Sequence, residues 1–206
     1  MAHFHGGHYY VPFCYGWIKM NYWLTTDTHF GHDALIEHCG RPENFTEKIF
    51  KSHSRIDPQD MLIHLGDICI GDEKEWHKRI WQEIRCKKCL VKGNHDKRTN
   101  TWYLRYGWDF VADAIMINIH GAKLLFSHIP QHESKLYDMN IHGHFHNIDH
   151  RKHEQNLKSI KHPQQILIKL EHDYMPIKIT PKQVGKWWAE YYKQQAAYEI
   201  NLKKEK

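Results

Sequence analysis

The sequence predicts a mixed α/β fold, and three observations lead there. Short apolar, β-branched runs alternate with helix-period segments through the first half of the chain. Beyond Asp109 the hydrophobic period changes to two, and a helix with its own start signal closes the sequence. With 206 residues there is room for one compact domain. The expectation is a single domain over residues 21–206, preceded by an extension, residues 1–20, with Met20 as the ancestral start.

The elements follow in order. Residues 22–26 are an apolar, β-branched run that ends at Asp27 and reads as the first strand. Asp33 is placed to cap a short helix through Cys39, with Gly40 as its stop. Asn44 and Glu47 then form a capping-box pattern for a helix reaching about Arg55. Asp57-Pro58 turns the chain into a strand over residues 61–65, followed at once by Gly66-Asp67. Trp76, Ile80, Trp81 and Ile84 share one helix face, and a strand at Leu90 and Val91 runs into Gly93-Asn94. Ile115, Ile117 and Ile119 alternate with Met116 and Asn118, and His120-Gly121-Ala122 turns this strand back into residues 123–127 as a hairpin. Residues 139–142 form another short strand, and residues 166–170 are expected to pair with residues 175–179. Thr180-Pro181-Lys182-Gln183 opens a terminal helix bearing Val184, Trp187, Trp188 and Tyr191, aromatics suited to core or dimer contacts. Residues 147–165, rich in His, Lys and Gln, read as the one long loop.

Composition narrows the class. With 41% hydrophobic and 26% charged residues and a mean hydropathy of -0.74, the chain fits neither an integral membrane protein nor a disordered one. It has no run of about 18 apolar residues to span a bilayer. Residues 1–20 lack the basic start of a signal peptide, and their His3, His5 and His8 sit in a Gly-rich, aromatic segment that reads as an appendage. Lys and Arg exceed Asp and Glu by 29 to 24, a formal +5 that suits an anionic substrate but is too diffuse to define a nucleic-acid-binding face. Five irregularly spaced cysteines argue for a reducing compartment, hence a cytoplasmic protein. Cys86 and Cys89 form a C-x-x-C with no second pair nearby, which reads as two thiols at a helix-to-strand junction rather than a zinc or redox site.

The chain carries 20 His, and their placement matters most. Asp27 and His29 follow the first predicted strand, Asp67 the second, Asn94 and His95 the third, then His128, and finally His144 and His146. Sites in layered sheets form at the carboxyl ends of strands, so these side chains converge. Gly66, Gly93 and Gly143 just precede them and are expected to give sharp backbone exits. Carboxylates, an amide oxygen and imidazoles without thiolate suit borderline divalent ions such as Mn, Fe, Co, Ni or Zn. So many donors exceed the needs of one ion and fit two, about 3.5 to 4 Å apart, with one carboxylate between them.

DTHFGH from Asp27, LGD ending at Asp67, GNHD from Gly93, Ser127-His128 and GHFH from Gly143 resemble, in order, the five motifs of the calcineurin-like metallophosphoesterase superfamily. The resemblance implies a two-sheet β-sandwich flanked by helices, α/β in class. It implies that Asp27, His29, Asp67 and His146 bind a first metal, and that Asp67, Asn94, His128 and His144 bind a second, with Asp67 as the bridge and Mn as the leading choice of ion. Three residues after Asp67 the protein-phosphatase branch carries a second Asp, whereas this chain has Ile70. The motif set therefore looks more like the small, uncapped bacterial and phage phosphoesterases. The implied activity is hydrolysis of a phosphodiester, on a small or nucleotide-like substrate, by in-line attack of a metal-bridging hydroxide. His95 is the candidate to protonate the leaving oxygen, with Asp96 orienting its ring. His32 and Arg41 are candidates to touch the substrate phosphate, against the plainer readings of a local cap or exposed ring for His32 and an exposed turn residue for Arg41. His142, His150 and His153 read as solvated loop residues. The rival functions are a phosphomonoesterase, a non-catalytic metal-binding scaffold, and a nuclease, for which the basic loop around Arg151, Lys152, Lys158 and Lys161 is the sole feature. No membrane partner is expected, and a homo-oligomer is compatible with the terminal helix.

Overall fold

The computed structural model describes residues 20–146 and 162–204. Among them, β1 (Tyr22–Thr25), β2 (Met61–His64), β3 (Lys87–Val91) and β4 (Phe110–Ala112) form the parallel part of one sheet, in the order β4-β3-β2-β1. A second sheet joins β5 (Ala114–Ile119), β6 (Ala122–Ser127), β7 (Met139–His142) and β8 (Gln165–Leu167). Finally β9 (Ile177–Lys178) returns to the first sheet, antiparallel to β1. This is the two-sheet, helix-flanked α/β architecture implied by the motifs.

Both faces of the first sheet are buried, which is why its strands read as nearly continuous apolar runs. Leu24, Ile63, Cys89 and Val91 join Leu124, Phe126, Ile141 and Ile166 of the second sheet in a core between the sheets. Leu62 and Leu90 face the other way, onto helices. These helices are α1 (Ala34–Cys39), α2 (Phe45–His53), α3 (Glu73–Glu83) and α4 (Asn100–Arg105). In α2 the buried face is Phe45, Ile49, Phe50 and His53, the spacing of one helical stripe. The closing helix α5 (Pro181–Lys204) starts as its sequence signal implied, with Thr180 Oγ1 accepting from the Gln183 N–H at 3.1 Å. It sends Val184 and Trp187 into the core between the sheets.

The β5–β6 hairpin turns through His120 and Gly121, both with positive φ (51° and 81°), in register Ile119↔Ala122. That is the left-handed pair a two-residue hairpin turn requires. The expected pairing of residues 166–170 with 175–179 does not form. Instead β8 runs parallel to β7, and β9 lies along β1 in the other sheet. The chain crosses between sheets there and covers an edge of β1 that would otherwise expose unpaired backbone groups. α4, absent from the sequence reading, starts at Thr99, whose Oγ1 accepts from the Trp102 N–H.

Two expected caps are not made. Asp33 and Asn44 accept no capping hydrogen bond, and the Glu47 carboxylate reaches Arg79 at 2.8 Å instead. Gly40 does end α1 in the left-handed conformation. On α3, Trp81 is 61% exposed while His77 is buried in its place. The His77 imidazole accepts from Trp108 Nε1–H at 2.9 Å, which satisfies it inside the apolar layer. Cys86 and Cys89 lie on opposite faces of the first sheet, one in each core, and burial pushes their thiols up to about 11 and about 12. They do not form a joint site. His142 is fully buried in β7 rather than solvated. His3, His5, His8, His150, His153, Arg151, Lys152, Lys158 and Lys161 lie outside the described residues, as does most of the expected long loop.

Candidate metal centre

Each candidate ligand leaves the carboxyl end of a strand. Asp27 and His29 follow β1, Asp67 follows β2, Asn94 follows β3, His128 follows β6, and His144 and His146 follow β7. The loops after β1 and β2 run side by side. Asp27 N–H donates to Gly66 O, His29 N–H to Asp67 O, and Phe30 N–H to Ile68 O, all at 2.9 to 3.0 Å. Of the seven described non-glycine residues with positive φ, five are Asp27 (48°), His29 (45°), Asp67 (55°), His144 (72°) and His146 (46°). Such conformations cost on the order of 1–3 kcal/mol each and persist where the surroundings hold them, typically at functional sites. The strain thus sits on the candidate ligands themselves. Gly93 and Gly143 serve close approach instead of a sharp exit: a Cβ on Gly93 would meet Asp67 Oδ1, and one on Gly143 would meet Thr26 Oγ1 and Asp27 Oδ2.

Each carboxylate is held by one oxygen and presents the other. Asp27 Oδ2 accepts from Thr26 Oγ1 at 2.5 Å and from the His144 N–H at 3.0 Å, while Oδ1 has no hydrogen-bond partner among the described residues. Asp67 Oδ1 accepts from the His95 N–H at 2.8 Å. Its Oδ2 faces Nε2 of His128 at 3.3 Å, of His29 at 3.6 Å and of His95 at 3.9 Å. His128 donates Nδ1–H to Leu65 O at 2.7 Å, so its Nε2 points inward, 3.0 Å from Asn94 Oδ1 and 3.1 Å from His144 Nδ1. His146 Nε2 lies 3.6 Å from Asp27 Oδ1.

Two donor groups result, Asp27/His29/His146 and Asp67/His128/His144. Donors bound at about 2.0–2.2 Å to one ion stand roughly 3.0–3.6 Å apart, so these spacings fit divalent ions. The buried Asp27 Oδ1 and His29 Nε2, without a hydrogen-bond partner among the described residues, fit them too. The protonation pattern is mixed. Burial pushes the His29 imidazole down to about 3 despite the pull of Asp27. Burial also disfavours charge on His128, but the hydrogen bond to Asp67 and the charges of Asp27 and Asp67 raise it to about 9. Burial works against ionisation of Asp67, yet His128 and the His95 N–H hold its carboxyl well below the usual range.

Residues 20–202 match the family described as Calcineurin-like phosphoesterase. The chain belongs to the calcineurin-like phosphoesterase family. By that membership it is a metal-dependent hydrolase of phosphate esters. An uncharacterized protein of Methanocaldococcus jannaschii, MJ1445, is 27% identical over 135 residues, 60% of this chain and 68% of the relative. The crystal structure of a protein of unknown function from Aquifex aeolicus, AQ665, is 26% identical with a TM-score of 0.63, covering 82% of this chain and 99% of the other. An archaeal phosphodiesterase is 22% identical with a TM-score of 0.37, covering 61% of this chain and 73% of the other. Among the described residues no helix is long and apolar enough to cross a membrane.

Within this calcineurin-like site, the remaining candidates separate. The His95 side chain is 45% exposed, and its ring lies 5.5 Å from that of His29, at the open side. His32 is also 5.5 Å from the His29 ring, and its buried Nδ1 has no hydrogen-bond partner among the described residues; burial and the neighbouring His95 lower its pKa. Asp96 does not orient His95. Its two oxygens accept from the backbone N–H groups of Asp67, Gly93 and Ile68, at 2.8, 2.8 and 3.2 Å, which ties the β2 and β3 loops together. Arg41 is neither exposed nor free to clamp a phosphate. It is 2% exposed and donates to Asp27 O, Thr28 O and Glu171 Oε1 at 2.7, 2.8 and 2.5 Å. Glu171 itself escaped the sequence reading, since it lies between β8 and β9 without a motif around it. Several carboxylates follow the last ligand candidate, Asp149, Glu154 and Asp173 among them, so nothing in the sequence singles out Glu171.

Proposed function

We propose that the protein is a dinuclear metal-dependent phosphodiesterase. One observation carries this reading: Asp67 Oδ2 stands between the two donor groups, 3.6 Å from His29 Nε2 and 3.3 Å from His128 Nε2. In it Asp27, His29, His146 and Asp67 hold one ion, and Asp67, Asn94, His128 and His144 the other, with Mn the leading choice. Divalent ions held there would supply hydroxide near neutral pH and would offset charge on the phosphoryl oxygens. The chain's own residues do the rest. His95, on the open side, donates its ring proton to the leaving oxygen, and His32 hydrogen-bonds a phosphoryl oxygen.

The diester preference is supported by Arg41. With that guanidinium engaged inside the protein, the candidate substrate contacts are imidazoles, which suit the single charge of a diester better than the dianion of a monoester. The same reading treats residues 21–206 as one catalytic domain with residues 1–20 as an extension. The buried thiols Cys69, Cys86 and Cys89 accord with a cytoplasmic setting.

Elemental analysis after Mn loading and dialysis tests the centre. The expected result is two ions per chain in the wild type, loss at both sites in Asp67→Asn, and loss chiefly at one in His128→Ala. Normal metal content in Asp67→Asn overturns the shared-carboxylate reading. Faster turnover of bis-p-nitrophenyl phosphate than of p-nitrophenyl phosphate is expected, and the reverse order makes the protein a monoesterase.

A further inference from the structure

Behind the first donor group, away from the reacting atoms, lies a buried charged layer. The His146 ring lies between Asp27 and Glu171: Nε2 faces Asp27 Oδ1 at 3.6 Å, and Nδ1 is 2.8 Å from Glu171 Oε1. A carboxylate accepts and does not donate, so the hydrogen is on Nδ1 and the Nε2 lone pair is directed into the site. The same Oε1 accepts from Arg41, whose guanidinium also holds the carbonyls of Asp27 and Thr28. One carboxylate oxygen therefore links the strand-end loop that carries Asp27 and His29 to the ring of His146. Both Arg41 and Glu171 are removed from solvent, with side chains 0% and 8% exposed.

The crossover between the sheets supplies this contact. β8 belongs to the second sheet and β9 to the first, and Glu171 sits on the stretch joining them. The hydrogen bond Tyr174 N–H to Leu170 O closes that stretch into a turn, and Ser52 Oγ on α2 donates to Tyr174 O. A residue held from two sides in this way can set the orientation of a ring.

We infer that Glu171, backed by Arg41, is a positioning residue that fixes the tautomer and direction of His146 for the first metal ion. Resting on the dinuclear reading above, it assigns a role to a part of the chain outside all five motifs. Carboxylate partners of this kind raise the basicity of a ligating imidazole, and losing one typically weakens metal binding by about 10- to 100-fold. The second donor group has its own anchor, the Leu65 carbonyl on His128 Nδ1, so the effect is confined to one ion.

Mn²⁺ titration followed by electron paramagnetic resonance tests this, because a coupled ion pair and a single ion give different spectra. In Glu171→Met the expected result is first-ion affinity lower by about 10- to 100-fold with the second ion within about twofold. The single-ion spectrum should then dominate where the wild type shows a pair. Nitrogen-15 spectra of the metal-free protein should show His146 as one Nδ1–H tautomer in the wild type and as a mixture in the variant. Should Glu171→Met fail to fold with Arg41 left unpaired, Glu171→Gln keeps the volume and an acceptor oxygen. It should restore the tautomer and lose only several-fold in first-ion affinity. Ile49→Val, a core change remote in role, should lower stability and leave both readouts unmoved. If the wild type binds two ions and a folded Glu171 variant binds both equally well, this inference falls and the dinuclear reading stands. If the wild type binds none, both fall together.

Discussion

The contacts of His95 divide between its backbone and its ring. Its backbone N–H holds Asp67 Oδ1 at 2.8 Å, while the ring projects to the open side with Nε2 3.9 Å from Asp67 Oδ2. Truncating the ring should therefore leave Asp67 in place and both ions bound. A proton donor matters when the departing alkoxide is a strong base and matters little for p-nitrophenolate. His95→Ala is expected to lose on the order of 10² to 10⁴ in rate on an alkyl or nucleoside diester and far less on a p-nitrophenyl ester. Equal losses on both substrates would assign the ring to charge stabilisation instead. The convergence of Asp27, His29 and His146, and of Asp67, His128 and His144, was legible because metal chemistry restricts residue type and the motifs restrict spacing. Arg41, Asp96 and Glu171 were not. Their roles depend on which polar groups, backbone or side chain, come within about 3 Å after folding, and hydrogen-bond partners far apart in sequence leave no local pattern.

Elements were legible where a local rule governs them. The β5–β6 hairpin follows from period-two alternation and a left-handed turn pair, and α5 from a Thr cap with Pro after it. The β8 and β9 partners were not legible, because either strand satisfies its backbone with any neighbour and the choice is made by the crossing between sheets. The capping pattern at Asn44 and Glu47 failed for a related reason, since Arg79 offers Glu47 a charged partner. These two kinds of element predict different mutational outcomes. Thr180→Ala removes a cap at the start of α5, remote from the metal donors, and should cost about 1 kcal/mol in urea unfolding with metal affinity unchanged. Gly93→Ala places a Cβ 2.5 Å from the Asp67 backbone N and closer still to Oδ1. The loop must shift, costing about 1–3 kcal/mol, and Asp67 shifts with it. Calorimetric titration should show both ions weakened in Gly93→Ala and neither in Thr180→Ala. Unchanged binding in Gly93→Ala would mean that the two loops can part without moving the carboxylate.

Across the described residues, some histidines face the centre, some, such as His172, lie at the surface, and some are enclosed by the core, and this last group sets the response to acid. His53, His64 and His77 are buried, and burial pushes their imidazoles down to about 4, about 3 and about 4. Each is satisfied as a neutral ring: His53 bonds Ile49 O and Thr25 Oγ1, His64 accepts from the Gly66 N–H, and His77 accepts from Trp108. Unfolded, the same rings titrate near 6.5. Between those values the unfolded chain binds protons that the fold refuses. Their contribution to stability is therefore complete above about pH 6.5 and is lost as pH falls towards 4, at about 1.4 kcal/mol per pH unit for each ring. His128 has the opposite sign in the metal-free protein, because its pKa is raised to about 9. Its contribution is complete below about 6.5 and is lost as pH rises through 9. Chelator-treated protein should therefore be most stable near pH 6.5, with a steep acid limb. His77→Leu isolates one ring. The lost Trp108 hydrogen bond lowers stability equally at every pH, whereas the lost titration changes the slope alone. Urea unfolding between pH 6.5 and 4.5 should show a limb shallower by about 1.4 kcal/mol per pH unit in the variant. Parallel limbs would show that His77 takes up its proton within the fold.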